Sequence, residues 1–192
     1  MDVALQTYRN DPVARKLSSV EKQKGTDYWA FQSETRRVGA HALFSYPAMM
    51  VPTLQGTLID IINEKYALKT VLDPFVGSGT VMVEAMLRGM SFTGVDINPL
   101  AGLACLVKSG PYFVSSLESK SQHLIKRLTK KRKKCRVRDF FGIGKWFHPE
   151  TSQALEEIAC SIRQEQSLWA RRFFWLTMSK TVRHSSNSRM ST

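Results

Sequence analysis

The sequence has little that would cross a membrane or address it for export. No run approaches the roughly 18 consecutive apolar residues of a spanning helix. The opening stretch, MDVALQTYRNDPVARK, has no apolar core for a secretory signal. Only three cysteines occur in 192 residues, at 105, 135 and 160, and none forms a CxxC pair. That spacing excludes a disulfide scaffold and offers no thiolate zinc site. The four histidines are scattered, so no metal is expected. There is no internal repeat, and no Pro-Pro dipeptide anywhere. These absences point to a reduced, cytoplasmic protein. With 43% hydrophobic and 10% aromatic residues, the chain can still pack a core. Its length allows one domain, or one domain with an attachment.

Acids are also scarce: 16 Asp and Glu stand against 28 Lys and Arg, a net charge of +12. The excess is local. Between Lys120 and Lys145 lie 11 basic residues and one acid, Asp139, which carries +10 of the total. A concentrated positive segment suits a polyanion, with nucleic acid ahead of an anionic membrane. The candidates for phosphate contact are Lys126, Arg127, Lys130, Lys131, Arg132, Lys133 and Lys134. The last five circle a whole helical turn, so they do not all face one groove.

Residue patterns place the elements. Pro52 suits a first helical position, and Leu54, Leu58, Ile61 and Ile62 share one face, so a helix is predicted over 52–66. TVLDPF from Thr70 reads as a buried strand, TVMVEAMLR as a helix closed by Gly89, and SFTGVDI as a second strand ending at Asp96. Asn98-Pro99 opens a helix to about Lys108. Ser115 to Cys135 is helical and basic. Phe140 to Phe147 reads as a loop, and helices follow from Pro149 and over LWARRFFWLTMSKTVRH. Trp146, Phe147, Trp169, Phe173, Phe174 and Trp175 are expected in the core. His148 is expected to make a local hydrogen bond at a helix start.

Residues 70–99 carry the chemistry. A strand ends in Asp73, a Gly-Ser-Gly turn enters a helix, and the next strand ends in Asp96, 23 residues on. Glycines let a ligand approach the backbone. The helix start offers unpaired N–H groups to a carboxylate or phosphate. The second acid can accept from both ribose hydroxyls. A dinucleotide is disfavoured because Met82 stands where the G-x-G-x-x-G fingerprint has its third glycine, and the phosphate loop G-x-x-x-x-G-K-[ST] is absent. S-adenosylmethionine carries no phosphate and asks only for a short glycine turn with polar neighbours.

DPFVGSGT resembles the cofactor motif of the DNA methyltransferases that act on N6 of adenine or N4 of cytosine. GVDINP resembles their ribose-binding motif, and HALFSYPAMMVP is similar to the HxYPAKFxP segment that precedes the cofactor strand. The resemblance implies a Rossmann-like class I methyltransferase fold, α/β, here a partial sheet with helical additions. It implies S-adenosylmethionine as cofactor and DNA as partner. Tyr46, Pro47 and Ala48 would wall the methionine pocket. Asp73 would order the glycine turn and face the methionine amino group, while Phe75, Gly77, Ser78, Gly79 and Thr80 surround the methionine part. Asp96 would hold the ribose and Ile97 pack on adenine.

The family's second signature, [DNS]-P-P-[YFW], is missing, so no catalytic residue is assigned. Ser109-Gly110-Pro111-Tyr112 comes nearest, but it lacks the proline pair, lies too early and reads as a turn. The expected organisation is an irregular segment at 1–40, a cofactor-binding core at 41–112, and a basic, aromatic helical part at 113–192 that stops before the catalytic strand. The expectation is a truncated product, inactive alone. A split enzyme with a second chain supplying catalysis, or an unrecognised catalytic motif, would also account for it. Two other functions compete: an RNA guanine-N2 methyltransferase, and a non-catalytic nucleic-acid-binding module on the same scaffold.

Overall fold

The computed structural model describes residues 11–30, 38–44, 49–130 and 135–187. Two compact units divide the chain, Met1–Ser109 and Gly110–Thr192. The division falls at Ser109, where the sequence suggested a boundary after Tyr112.

In the first unit, helix α1 spans Pro12–Lys24. Asp11 caps it, its Oδ1 accepting from Val13 N at 2.6 Å, and Gly25 at φ 95° ends it. Two short 3-10 turns follow, Thr26–Ala30 and Gly39–Ala42. Helix α2 runs Pro52–Tyr66, as the proline and the apolar spacing require. Strand β1, Thr70–Asp73, pairs in parallel with β2, Ser91–Gly94, in the register Thr70 with Ser91 and Asp73 with Gly94. Helix α3, Thr80–Leu87, crosses between them, and α4 spans Pro99–Lys108. Among the described residues this strand–helix–strand unit is the whole sheet. Ile59, Ala85 and Met90 form the core beneath it, with Val71 and Phe92 packed against them.

Two sequence expectations change here. Strand β1 is buried only in part: Leu72 is 66% exposed, because the described helices cover only the face that carries Val71. And β2 ends at Gly94, not at Asp96. A Cβ on Gly94 would lie 2.9 Å from Val76 Cγ2, so only glycine lets the chain pass the loop closely. Pairing continues in irregular form, with Val95 N donating to Asp73 O and Val76 N to Val95 O, both at 2.9 Å.

The second unit is helical. Helix α5 spans Val114–Thr129, α6 is a single turn at Ile143–Trp146, α7 spans Pro149–Arg163 and α8 Leu168–His184. Ala159, Ile162, Ala170, Phe174 and Met178 form its core, flanked by Trp169, Phe173 and Trp175. The aromatic spacing of the last helix is therefore core spacing. Trp146 and Phe147 stand outside this core: Trp146 is 42% exposed, with Lys145 Nζ at 5.4 Å from its ring, and Phe147 is half-buried. Helix α5 stops at Thr129, with Lys130 already extended, and residues 131–134 of the helix expected to reach Cys135 lie outside the described residues. Like charges one turn apart repel and give the helix no reason to go on. His148 precedes α7 without a side-chain cap bond, and only its carbonyl accepts, from Ser152 N at 2.9 Å.

Candidate functional site

The loop between β1 and α3 gathers most of the residues singled out in the sequence. Asp73 is buried at the end of β1. Its Oδ1 accepts from Phe75 N at 2.9 Å, which turns the chain out of the strand. Its Oδ2 is buried with no hydrogen-bond partner among the described residues. A buried carboxylate oxygen left without a donor is costly unless something supplies one. Gly77 and Gly79 take φ of 49° and 75°, left-handed values that glycine adopts freely.

The two glycines differ in what surrounds them. A Cβ on Gly79 would lie 2.9 Å from Cys105 Sγ and 3.1 Å from Met82 Cε, so this glycine serves packing. A Cβ on Gly77 would meet only Phe75 O, at 3.8 Å, and otherwise open space. Left-handed alanine costs about 1–2 kcal/mol at either position. Gly79→Ala adds a clash, so it is expected to lower the melting temperature more than Gly77→Ala does. Thermal unfolding of the two variants checks the order.

Asp96 reaches back to the same loop. Its Oδ2 accepts from Gly77 N and its Oδ1 from Asn98 N, both at 2.8 Å. A carboxylate has about four acceptor positions, so two remain for hydroxyl donors. Asn98 in turn caps α4, accepting from Leu100 N at 3.0 Å. Ser78 and Thr80 are buried and face each other, their hydroxyls 3.2 Å apart, so they shape the loop from beneath. Cys105 lies under it as well, and burial pushes its thiol up from the ordinary range. Phe75 and Ile97 stand out as exposed apolar side chains, 82% and 100% exposed. Tyr46, Pro47 and Ala48 lie outside the described residues, as do Lys131, Arg132, Lys133 and Lys134.

Sequence reasoning missed a charged chain behind the loop. His41 Nε2 lies 2.9 Å from Glu84 Oε1, and Glu84 Oε2 accepts from Arg88 Nη1 at 2.6 Å. Arg88 then holds Asp60 with two bonds, of 2.6 and 2.8 Å. The bonds from Asp60, with those from Glu84, raise the Arg88 guanidinium above its ordinary value, and Arg88 lowers Asp60. The i,i+4 spacing of Glu84 and Arg88 was a readable signal. The 43-residue separation of His41 and Glu84 was not.

In the second unit the basic residues divide. Lys126 and Lys130 are exposed. Arg127 turns inward instead: its Nη2 donates to Ser161 O at 3.3 Å and lies 3.9 Å from Glu165. Phe141, which the sequence placed in a plain loop, is fully exposed between Arg138 and Lys145.

Three features of the loop face the same way chemically: Asp73 Oδ2 is an unmet acceptor, Asp96 has acceptor positions left over, and Gly77 leaves the approach open. A family model for DNA methylases, the N6/N4 group, matches residues 3–101. The chain belongs to this family. Type II methyltransferase M.MvaI of Kocuria varians is 31% identical over 95% of the chain. The chain spans 42% of that relative's length. Two shorter matches fall on other methyltransferases. Type II methyltransferase M.MjaII of Methanocaldococcus jannaschii is 40% identical over 25% of the chain and 9% of its own length. The tRNA (guanine(10)-N2)-dimethyltransferase of Methanothermobacter thermautotrophicus is 38% identical over 29% of the chain and 16% of its own length. No solved structure matches. For a DNA methylase the described residues also lack any helix long and apolar enough to cross a membrane, and any cluster of three metal-ligating side chains.

Proposed function

We propose that this chain is the cofactor-binding part of a DNA methyltransferase that modifies an exocyclic amino nitrogen of adenine or cytosine. The observation that carries the reading is the buried, unmet Asp73 Oδ2 beside the open side of Gly77, with Asp96 facing the same loop. The strand–helix–strand unit is then the opening of a Rossmann-like sheet. S-adenosylmethionine, when bound, supplies an electrophilic methyl group on a sulfonium. Asp73 accepts from its amino group, and Asp96 accepts from the ribose hydroxyls. Gly77 keeps the backbone clear, and Phe75 and Ile97 cover the apolar parts. None of these residues takes a proton from the target, so their work is binding and orientation. The residues that would grip the flipped base belong to a [DNS]-P-P-[YFW] string, which the 192 residues do not contain.

DNA is favoured over RNA because the M.MvaI match runs through both units, whereas the tRNA enzyme matches 29% of the chain. Calorimetric titration of the folded chain with S-adenosylmethionine tests the cofactor reading. Saturable binding is expected, and a folded chain that takes up no cofactor overturns it.

The basic unit is read as the phosphate-contacting part. Affinity for a DNA duplex should then fall steeply with salt, with each neutralised phosphate contributing a slope of roughly 0.9 in log–log form. Lys126→Gln with Lys130→Gln is expected to reduce that slope by about 1.8 without loss of stability. Arg127→Gln is expected to act mainly on stability, because Arg127 is spent inside the unit. Fluorescence anisotropy across a salt series, beside urea unfolding, separates the two effects.

A further inference from the structure

The 3-10 turn Gly39–Ala42 lies directly behind the loop that carries Asp73 and Gly77. Ala40 packs against the cluster of Val76, Met82 and Val83, and Val76 is itself a loop residue. The next residue, His41, is 5% exposed and bonds Glu84, one helical turn past Thr80 at the start of α3. Phe44, also 5% exposed, buries the chain again three residues on. The YPA pattern has its histidine two residues before the tyrosine, and Phe44 fills that position here. His41 is thus a separate histidine with a partner of its own.

The bond is built to hold. Glu84 Oε1 is an acceptor, so the network assigns a proton to Nε2 of His41. Glu84 is 8% exposed and shared between His41 and Arg88, and Arg88 is tied to Asp60 on α2. Room for the crossing comes from Gly56 of α2, where a Cβ would sit against both the Arg88 and Glu84 side-chain tips. Three segments far apart in sequence are therefore linked in series, His41 through the Glu84 carboxylate and Asp60 through the Arg88 guanidinium. Little water reaches His41 and Glu84 to screen or replace their bond.

We propose that His41 is a positioning residue for the cofactor: through Glu84 and Ala40 it fixes the 73–80 loop, and so sets the affinity for the methionine end of S-adenosylmethionine. This rests on the cofactor reading above. It makes a claim that reading does not. The adenosine end is held from Asp96, which Asn98 N anchors outside that loop, so it should depend on His41 far less. Two ligands therefore separate a positioning role from general loosening: S-adenosylmethionine, and 5′-methylthioadenosine, which lacks the amino-acid end.

Calorimetry on the full chain compares both ligands in three variants. His41→Leu is expected to weaken S-adenosylmethionine about tenfold and to leave 5′-methylthioadenosine within about twofold. His41→Gln keeps an N–H donor near the place of Nε2 and is expected to restore most of the loss. Asp60→Asn acts at the exposed end of the chain of charges, so it keeps the test open where His41→Leu does not fold. It is expected to weaken S-adenosylmethionine roughly two- to threefold and to spare the shorter ligand. Equal weakening of both ligands, or no change for S-adenosylmethionine in any variant, overturns the proposal. A folded wild-type chain that binds neither ligand overturns the cofactor reading and this proposal together. Wild-type binding with no selective loss overturns this proposal alone.

Discussion

Asp96→Ala is expected to weaken S-adenosylmethionine binding by at least about tenfold and to loosen the loop that the cofactor would meet. The size follows from what one carboxylate does. It accepts from Gly77 N and Asn98 N at 2.8 Å each, and hydrogen bonds to a charged group contribute about 1.5–3 kcal/mol. Alanine leaves both backbone N–H groups to water and removes the acceptors read as holding the ribose. A single lost bond of that kind already accounts for a tenfold change, since 1.4 kcal/mol is about a factor of ten. Asp96→Asn should fall between. Its amide oxygen keeps one N–H satisfied, while its NH2 faces a second donor where an acceptor is needed. The order wild type, Asn, Ala in cofactor affinity, measured by calorimetry, checks the argument. Wild-type affinity in Asp96→Ala would move the ribose contact to another residue.

That Asp96 also ties the glycine loop was not legible in the sequence. Its place after a strand marked it as a ribose acceptor, but its grip on Gly77 spans 19 residues and follows from the close pass at Gly94. Local signals read well. Pro52, the Asn98-Pro99 pair and Gly89 mark helix ends that the structure shares, because capping is decided within a few residues. Exposure read badly. TVLDPF has the composition of a buried strand, yet Leu72 and Phe75 face outward, because burial depends on what lies over the face. The same limit separated Lys126 from Arg127. Adjacent basic residues on one helix look alike in sequence, and only the helices packed against α5 decide which is turned inward. Glu165 was missed altogether. The pattern from Pro149 reads as helix through it, whereas it sits between α7 and α8, in a stretch whose composition gives no sign of a buried acid.

Glu165 is the residue through which the second unit should respond to mutation and to acid. It is 6% exposed and accepts from two donors, Lys120 Nζ at 2.8 Å and Ser167 N at 3.0 Å, while Arg127 Nη2 stands 3.9 Å away as an ion-pair partner. These ties join α5 to the start of α8. Glu165→Ala removes this buried anion and leaves Lys120 and Arg127 without it. Breaking a buried pair from one side costs about 3–5 kcal/mol. Lys120 and Arg127 keep 27% and 22% of their side-chain surface in water, so the lower end applies, about 3 kcal/mol. Domains of this size are stable by about 5–15 kcal/mol, so the unit loses a large share. Burial pushes the Glu165 carboxyl up, but Lys120, the Ser167 N–H and Arg127 outweigh it and hold the group below its ordinary value of 4.5. The sign of the pH effect follows. A carboxyl depressed in the folded state adds stability that is present above the unfolded value and is lost as pH falls through the folded one. Urea unfolding at pH 7 and at descending pH, followed by the fluorescence of the core residues Trp169 and Trp175, should show the wild type approaching the midpoint of Glu165→Ala as the solution turns acid. A constant gap between the two at every pH would mean that the carboxylate's charge is not what holds α5 in place.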